Sequence, residues 1–105
     1  MAADDGVSAA GASASAPVTQ RVAVVNQRGL HARAAARFVK LAGGFDAAVT
    51  VTAKGVPVPG LSIMGLMMLA AGPGTELEIS ATGADAGAAV DALVALVAHR
   101  FDESE

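Results

Sequence analysis

The residues best suited to chemistry in this chain lie in one short segment, residues 26–39, which reads NQRGLHARAAARFV. One of only two histidines, His31, stands there between Arg28 and Arg33. The glycine before this histidine and the alanines after it indicate a boundary between a loop and a helix. A buried, purely structural histidine would more often lie inside a helix or strand, among large apolar neighbours. The position of His31 therefore favours a chemical role.

A helix that begins after Leu30 would place His31 at or beside its N-cap. The first-turn amides of Ala32, Arg33 and Ala34 would then have no partner within the helix. Together with the positive end of the helix dipole, these amides form a site for an anion. A cation is disfavoured at the same point, so we expect His31 to present a neutral, nucleophilic imidazole.

Two arginines flank the predicted anion site. The guanidinium of Arg28, in the loop, or of Arg33, in the first turn, is suited to bind two phosphate oxygens at once. Gly29 allows a close approach of the backbone. A nucleophilic histidine beside such a site is equipped to take a phosphoryl group onto nitrogen. The candidate phosphoryl site therefore consists of His31, Ala32, Arg33 and Arg28.

Other interpretations of these residues stay open at this point. In the plainest one, His31 only caps the helix and the arginines belong to a solvated face. A metal site is less favoured, because the other histidine, His99, lies at a distant helix end and the chain has no cysteine. No metal or cofactor is therefore expected. A hydrolase would need a carboxylate at the histidine; none is near in sequence, although Asp46, Asp85 or Asp91 could approach it in space.

The composition excludes several classes of protein. With 105 residues, 53% of them hydrophobic, the chain is expected to form one domain with a real core. Seven Lys and Arg in no long cluster, with a formal net charge of −3, provide no footprint for nucleic acid. The longest apolar segment, residues 61–71, is about half the length that a membrane-spanning helix needs. We expect a soluble protein, and the absence of cysteine fits a reducing cytoplasm.

Residues 1–17 differ from the rest of the chain, since they are mostly Ala, Ser, Gly and Asp. Such a segment buries too little apolar surface to fold, so a disordered N-terminal extension is predicted. Residues 18–105 form the predicted domain, whose fold ends near Phe101. Its hydrophobic pattern predicts strands at residues 19–25, 48–52, 56–59 and 75–81, and helices at residues 32–42, 63–69 and from residue 85 to Phe101.

This order of elements predicts a two-layer α+β sandwich. Pro57 and Pro59 cannot donate ladder hydrogen bonds, so the third strand should lie on an edge of the sheet. Asp85 lies at the favourable N-terminal end of the closing helix. Arg37 and Lys40, on the first helix, are expected to form an ordinary solvated face.

The second predicted helix begins after a serine. Ser62 is expected to be its N-cap, because serine is among the residues preferred there. The helix is apolar nearly all round, and so short a helix cannot bury every side chain. Its methionines are therefore expected to leave an adaptable docking surface, formed by Met64, Met67 or Met68.

Two separate motifs in this chain resemble those of one known family. GLHAR at residues 29–33, with AARFV at residues 35–39, and GLSIMGLMML at residues 60–69 are similar to HPr, the histidine phosphocarrier family of the phosphoenolpyruvate-dependent phosphotransferase system. The resemblance extends over residues 18–101. It implies an open-faced sandwich in which three helices cover one face of a four-stranded antiparallel sheet of order 1-4-2-3.

The resemblance also implies roles for individual residues. His31 matches the histidine that Enzyme I phosphorylates on Nδ1 and that passes the group to an Enzyme II A-type acceptor. Arg33 matches the arginine paired with the phosphohistidine. Ser62 matches the serine that an HPr kinase/phosphorylase modifies in many members. The implied protein is a monomeric, cytoplasmic carrier without a cofactor, not an enzyme, that acts in sugar transport or its regulation.

One position departs from the family pattern. Ala34 stands where a proline usually follows the arginine, and proline would pre-set φ in the first helical turn. Alanine favours helices, so the helix should persist, but the rigidity of the anion site and the transfer rate come into question. Such a replacement is more similar to the nitrogen-related branch than to the sugar-transport branch. The alternative function is a regulatory protein-binding module that keeps the fold and no longer transfers phosphate.

Overall fold

Four antiparallel strands form one sheet in the computed structural model, which describes residues 16–103. The strands are β1 (Val18–Ala23), β2 (Ala48–Ala53), β3 (Val56–Pro59) and β4 (Glu76–Thr82), in the spatial order β1-β4-β2-β3. The helices are α1 (Ala32–Ala42), α2 (Ile63–Met68) and α3 (Ala86–Ala98). The predicted α+β fold, sheet order and three helices are confirmed. The predicted extension, residues 1–17, lies outside the described residues apart from its last two.

β4 lies in the middle of the sheet, because it pairs with β1 on one side and with β2 on the other. Its side chains alternate between the two faces, as strand geometry requires. Leu77, Ile79 and Ala81 are buried, whereas Glu76 is exposed and Glu78 is half-buried on the opposite face. The helices therefore cover one face of the sheet, and the polar residues of β4 line the other.

β3 is an edge strand, as Pro57 and Pro59 predict. Among the described strands it pairs with β2 alone. A proline has no N–H to donate, so the edge is where it disturbs the ladder least. The chain then turns toward α2 at Gly60, where an added Cβ would lie 2.6 Å from Cγ1 of Val49. Glycine is required at that point by the closeness of β2.

The core lies between the sheet and the helices. Its largest fully buried side chains are Phe38, Phe101, Leu66, Leu77, Ile79 and Leu93. Burial of one such side chain contributes about 1.5–3 kcal/mol. Phe38 lies in α1, Leu66 in α2 and Leu93 in α3, and Phe101 follows α3, so each helical segment is held by a large apolar side chain. Within the part of the chain that the structure describes, none of the helices has the length and hydrophobicity of a membrane-spanning segment.

The chain after α3 differs from the prediction. The regular spacing of apolar residues predicts a helix through Phe101, but α3 ends at Ala98. A short turn, Arg100–Asp102, follows, and its three residues have positive φ values of 60°, 54° and 62°. A left-handed conformation costs a residue other than glycine about 1–2 kcal/mol. The complete burial of Phe101 is the contact that offsets this strain.

Arg37 also holds this turn. Its guanidinium donates to the carbonyl oxygen of Phe101, and the side chain is half-buried. The prediction of a purely solvated face is therefore wrong for Arg37, while Lys40 is exposed as predicted. The reason is that the turn folds back against α1, which periodicity within α1 cannot indicate.

Asp85 occupies the N-cap position of α3, yet its side chain does not cap the helix. Its Oδ2 accepts a hydrogen bond from the amide of Asp46 at 2.8 Å. The amide of Asp85 donates in return to the carbonyl of Asp46 at 2.9 Å. This carboxylate therefore fastens the start of α3 to the loop before β2.

Candidate functional site

The loop before α1 is shaped by Gly29. This residue has a φ of +64°, and a Cβ added to it would lie 2.3 Å from the carbonyl oxygen of Ala71. The next amide, that of Leu30, donates to the same oxygen at 2.9 Å. The expected close approach of the backbone is present, and the group that approaches is the carbonyl of Ala71. Packing against the segment before β4 thus fixes where α1 begins.

His31 is the N-cap residue of α1. Its backbone is extended, with φ −78° and ψ −179°, which is the usual conformation of a cap. The amide of Arg33 donates to Nδ1 of the imidazole at 3.3 Å. The structure therefore places Nδ1 over the first turn of the helix, where the unpaired amides and the positive end of the dipole lie.

The other ring nitrogen of His31 contacts a carboxylate. Nε2 is hydrogen-bonded to Oε2 of Glu103, and the two side chains are only 16% and 10% exposed. An ionised carboxylate can only accept, so Nε2 must carry the proton. Nδ1, which accepts from the Arg33 amide, must then carry the lone pair. A doubly protonated ring would set two N–H groups against each other at Nδ1.

Asn26 holds Glu103 in place. Its Nδ2 donates to Oε1 of Glu103 at 3.0 Å and to the carbonyl of Gly29 at 2.9 Å. Asn26 is 1% exposed, and its Oδ1 has no hydrogen-bond partner among the described residues. The reverse orientation of the amide would point its oxygen at two acceptors, so these contacts fix the orientation. Asn26 therefore connects the loop before His31 to the carboxylate beside it.

The side chain of Glu103 ionises more readily than that of an ordinary glutamate. Burial raises the pKa of the Glu103 carboxyl. The hydrogen bonds from His31 and Asn26, together with the positive charge of Arg28, lower this pKa by more, so it lies below its usual value. The acceptor that faces Nε2 of His31 is therefore negatively charged at neutral pH.

The two arginines predicted for the site are both exposed. Within residues 16–103, neither guanidinium lies within ion-pair distance of a carboxylate, although the charge of Arg28 acts on Glu103 from farther away. Ala32 is exposed beside them, whereas Ala34 is completely buried. The predicted residues His31, Ala32, Arg33 and Arg28 are adjacent in the chain and stay together at the start of α1.

The carboxylate at His31 is not one of the predicted candidates. Asp85 contacts Asp46, and Asp91 accepts from the side-chain amide of Gln20 at 3.0 Å. Glu103 was missed because the predicted fold ended near Phe101. The only sequence signal is an acidic residue two positions after a large apolar side chain, which does not by itself indicate a return to His31.

Ser62 is the N-cap residue of α2, as predicted. Its Oγ accepts from the amide of Gly65 at 2.9 Å, and the residue is half-buried. The methionines that follow are exposed, at 69% for Met64, 40% for Met67 and 78% for Met68. Because α2 packs beside α1, this apolar surface adjoins the helix that begins at the candidate site.

The described residues offer no alternative metal centre. Among residues 16–103, no group of three or more His, Cys, Asp or Glu side chains is arranged to hold a metal ion.

Comparisons with known proteins identify a family for this chain. The family model "PTS HPr component phosphorylation site" matches residues 18–99. Phosphocarrier protein HPr of Cupriavidus necator is 48% identical over 82 residues, which cover 78% of this chain and 92% of the relative. Phosphocarrier protein NPr of Shewanella violacea is 41% identical over 85 residues, 81% of this chain and 93% of the relative.

Solved structures agree as well. The crystal structure of phosphocarrier protein HPr from Bacillus anthracis superposes with a TM-score of 0.75 at 44% identity, and the match covers 78% of this chain and 98% of that one. Sequence, fold and the position of the histidine thus point to the same conclusion. This chain belongs to the HPr family of phosphocarrier proteins of the phosphotransferase system.

Proposed function

We propose that this protein accepts a phosphoryl group on Nδ1 of His31 from phosphorylated Enzyme I, and ultimately from phosphoenolpyruvate, and passes it to an Enzyme II A-type protein. The observation that carries the proposal is the orientation of the imidazole. Nδ1 lies over the first turn of α1 and accepts from the Arg33 amide, while Nε2 donates to Glu103. The nucleophilic nitrogen is therefore the one beside the anion site.

The transfer step uses groups that are already in place. The lone pair of Nδ1 attacks phosphorus, and the bond from phosphorus to the donor atom breaks. Once Nδ1 is bonded to phosphorus it can no longer accept the hydrogen bond from the Arg33 amide, which donates to a phosphoryl oxygen instead. The amide of Ala32 provides a second donor beside it. The guanidiniums of Arg28 and Arg33 neutralise the phosphoryl charge. Passage to the acceptor is the same step in reverse.

The carrier works as a cytoplasmic monomer and is not an enzyme in its own right. Every group named for the step belongs to one chain, so no second copy is needed to complete the site. The protein is itself modified in each half of the transfer and acts only with its two protein partners. Its location follows from those partners, with which it must exchange the phosphoryl group directly.

Ser62 provides regulation in this proposal, through modification by an HPr kinase/phosphorylase. The hydroxyl is half-buried at the start of α2 and borders the exposed Met64, Met67 and Met68. A phosphate there would meet the N-terminal end of a helix, so the helix would be retained. The added charge would instead oppose the docking of a partner on the neighbouring apolar surface.

The alternative, a binding module that no longer transfers phosphate, has less support. The basis for this alternative is Ala34, which stands in place of the family proline. Ala34 is completely buried in a regular first turn, and His31 still caps that turn. Both His31 and Arg33 are present, whereas a module that had lost transfer would be expected to have lost one of them. The same replacement is the reason to propose the nitrogen-related branch for this chain.

Mass spectrometry of the intact protein tests the proposal. After incubation with Enzyme I and phosphoenolpyruvate, the wild type should gain one acid-labile phosphoryl group and His31→Ala should gain none. His99→Ala is the matched control, because His99 is exposed and is the only other histidine. A label that persists in His31→Ala, or that disappears in His99→Ala, would show that the assignment of the phosphoryl group to His31 is wrong.

A further inference from the structure

We propose that Glu103, held by Asn26, is a positioning residue that keeps the ring proton of His31 on Nε2 throughout phosphoryl transfer. The inference rests on the proposed function, since it takes His31 as the phosphoryl acceptor. It goes beyond that function, because it names the residue that determines which ring nitrogen is nucleophilic.

Two independent hydrogen bonds select one tautomer. On one side of the ring, the Glu103 carboxylate can only accept, so Nε2 must donate. On the other side, the Arg33 amide can only donate, so Nδ1 must accept. A neutral imidazole in the opposite tautomer would leave both contacts unsatisfied, one of them inside a largely buried pair. The protein therefore presents Nδ1 with its lone pair before a partner arrives.

Charge favours the same arrangement during the reaction. When Nδ1 bonds to phosphorus, the proton stays on Nε2 and the ring becomes positively charged. The carboxylate of Glu103 lies against that N–H and stabilises the charge. In the reverse step the N–P bond breaks, its electron pair returns to Nδ1 and a neutral imidazole leaves. Loss of the Nε2 proton would make the leaving group an imidazolate, which is far poorer.

The backbone that delivers Glu103 is strained. Arg100, Phe101 and Asp102 have consecutive positive φ values, and none of them is glycine. Strain of this kind persists only where the surroundings over-determine it, and it concentrates at functional sites. Here the buried Phe101 and the hydrogen bond from Arg37 to its carbonyl hold the turn. The carboxylate reaches His31 immediately after that turn.

Asn26 completes the arrangement from the other side. It donates to Glu103 and to the carbonyl of Gly29, two residues before His31 in the chain. One buried side chain therefore sets the distance between the carboxylate and the loop that carries the histidine. The carboxylate is a hydrogen-bond acceptor for both neighbours, which leaves it no freedom to turn away from Nε2.

The experiment compares Glu103→Gln with Asp102→Asn. The first variant removes the charge and lets an amide N–H compete for the ring. The second removes one charge from the adjacent, exposed position, and asparagine tolerates its left-handed φ. In protein with ¹⁵N-labelled histidine, the wild type and Asp102→Asn should show His31 protonated at Nε2. Glu103→Gln should contain a substantial population protonated at Nδ1.

Transfer rates provide the second measurement. Acceptance of phosphate from Enzyme I should be slower in Glu103→Gln by at least about tenfold, as expected for loss of a charged hydrogen-bond partner, and unchanged in Asp102→Asn. Native circular dichroism of both variants at the assay temperature would exclude unfolding as the cause. An unchanged tautomer or an unchanged rate in Glu103→Gln would overturn the inference. Failure of the wild type to accept phosphate would instead overturn the proposed function, and the tautomer populations measured by NMR would be unaffected by that result.

Discussion

His31 and Glu103 stand 72 positions apart in the chain, and Nε2 of the one is hydrogen-bonded to a carboxylate oxygen of the other. Both side chains are largely shielded from solvent, at 16% and 10% exposure. The contact holds the ring from the side opposite to α1, so that Nδ1 is the ring nitrogen that lies over the first-turn amide of Arg33. A local motif supplies the imidazole, and a carboxylate that is distant in the sequence contacts one of its two nitrogens.

Arg33 should contribute to transfer and little to stability. The side chain is exposed and forms no ion pair within residues 16–103, so Arg33→Ala should change the free energy of unfolding by no more than about 0.5 kcal/mol. Phosphate transfer to His31 should be slower, because a neutralising charge is lost. Lys40→Ala, at the exposed far end of α1, is the matched control and should transfer normally. Wild-type kinetics in Arg33→Ala would refute this role.

Two substitutions can separate the role of Ser62 as a helix cap from its proposed role in regulation. Ser62→Ala removes the acceptor for the Gly65 amide and should lower stability by about 1 kcal/mol without affecting the binding of Enzyme I. Ser62→Asp retains a good N-cap and adds a negative charge, so the melting temperature should stay near the wild-type value.

Binding should respond in the opposite order. Titration with Enzyme I should be weaker for Ser62→Asp than for Ser62→Ala, because the charge borders the exposed methionines of α2. Added salt should partly restore the affinity if repulsion is the cause. Equal affinities for both variants would leave Ser62 with no role beyond the cap.

Gly29 should be among the least replaceable residues of the loop. Gly29→Ala would place a methyl group 2.3 Å from the carbonyl oxygen of Ala71 at a φ of +64°. We expect a loss of more than about 1 kcal/mol in the free energy of unfolding, measured by denaturant titration. Gly72→Ala, where an added Cβ meets no neighbour within 4 Å, is the control and should be nearly neutral. Comparable losses in the two variants would contradict the predicted clash.

The lowered pKa of Glu103 predicts how stability depends on pH. A carboxyl whose pKa is lower in the folded state contributes stability that is present above its unfolded pKa. That contribution is lost as the pH falls through the lowered, folded pKa. Glu103→Gln should therefore be less stable than the wild type at neutral pH, and the difference should shrink in acid. A difference that is constant from neutral to acid pH would show that the carboxylate is not linked to folding.

Much of the fold follows from local patterns in the sequence. The alternation of Leu77, Ile79 and Ala81 identifies the strand that proves to be central, and Pro57 and Pro59 identify the edge. These features depend on burial and on hydrogen bonding within a few residues. The position of His31 at the start of α1 is predictable for the same reason, since the residues that define the cap are its immediate neighbours.

The missing parts depend on contacts that are distant in the sequence. Phe101 keeps the spacing of the preceding helix, so its periodicity cannot distinguish a continued helix from a left-handed turn that also buries the ring. The local sequence around Glu103 indicates nothing beyond an acidic residue two positions after a large apolar one. The role of Glu103 arises only when the turn returns the chain to Asn26 and His31, and it is therefore accessible from the structure alone.

The most direct check of the proposed function is the identity of the nitrogen that receives phosphorus. Protein with ¹⁵N-labelled histidine, phosphorylated by Enzyme I and phosphoenolpyruvate, allows the N–P bond to be assigned by NMR. We predict that phosphorus is bonded to Nδ1 of His31, which faces the first-turn amide, while Nε2 keeps its proton toward Glu103. Phosphorus bonded to Nε2 of His31, or to any other residue, would contradict the proposed function.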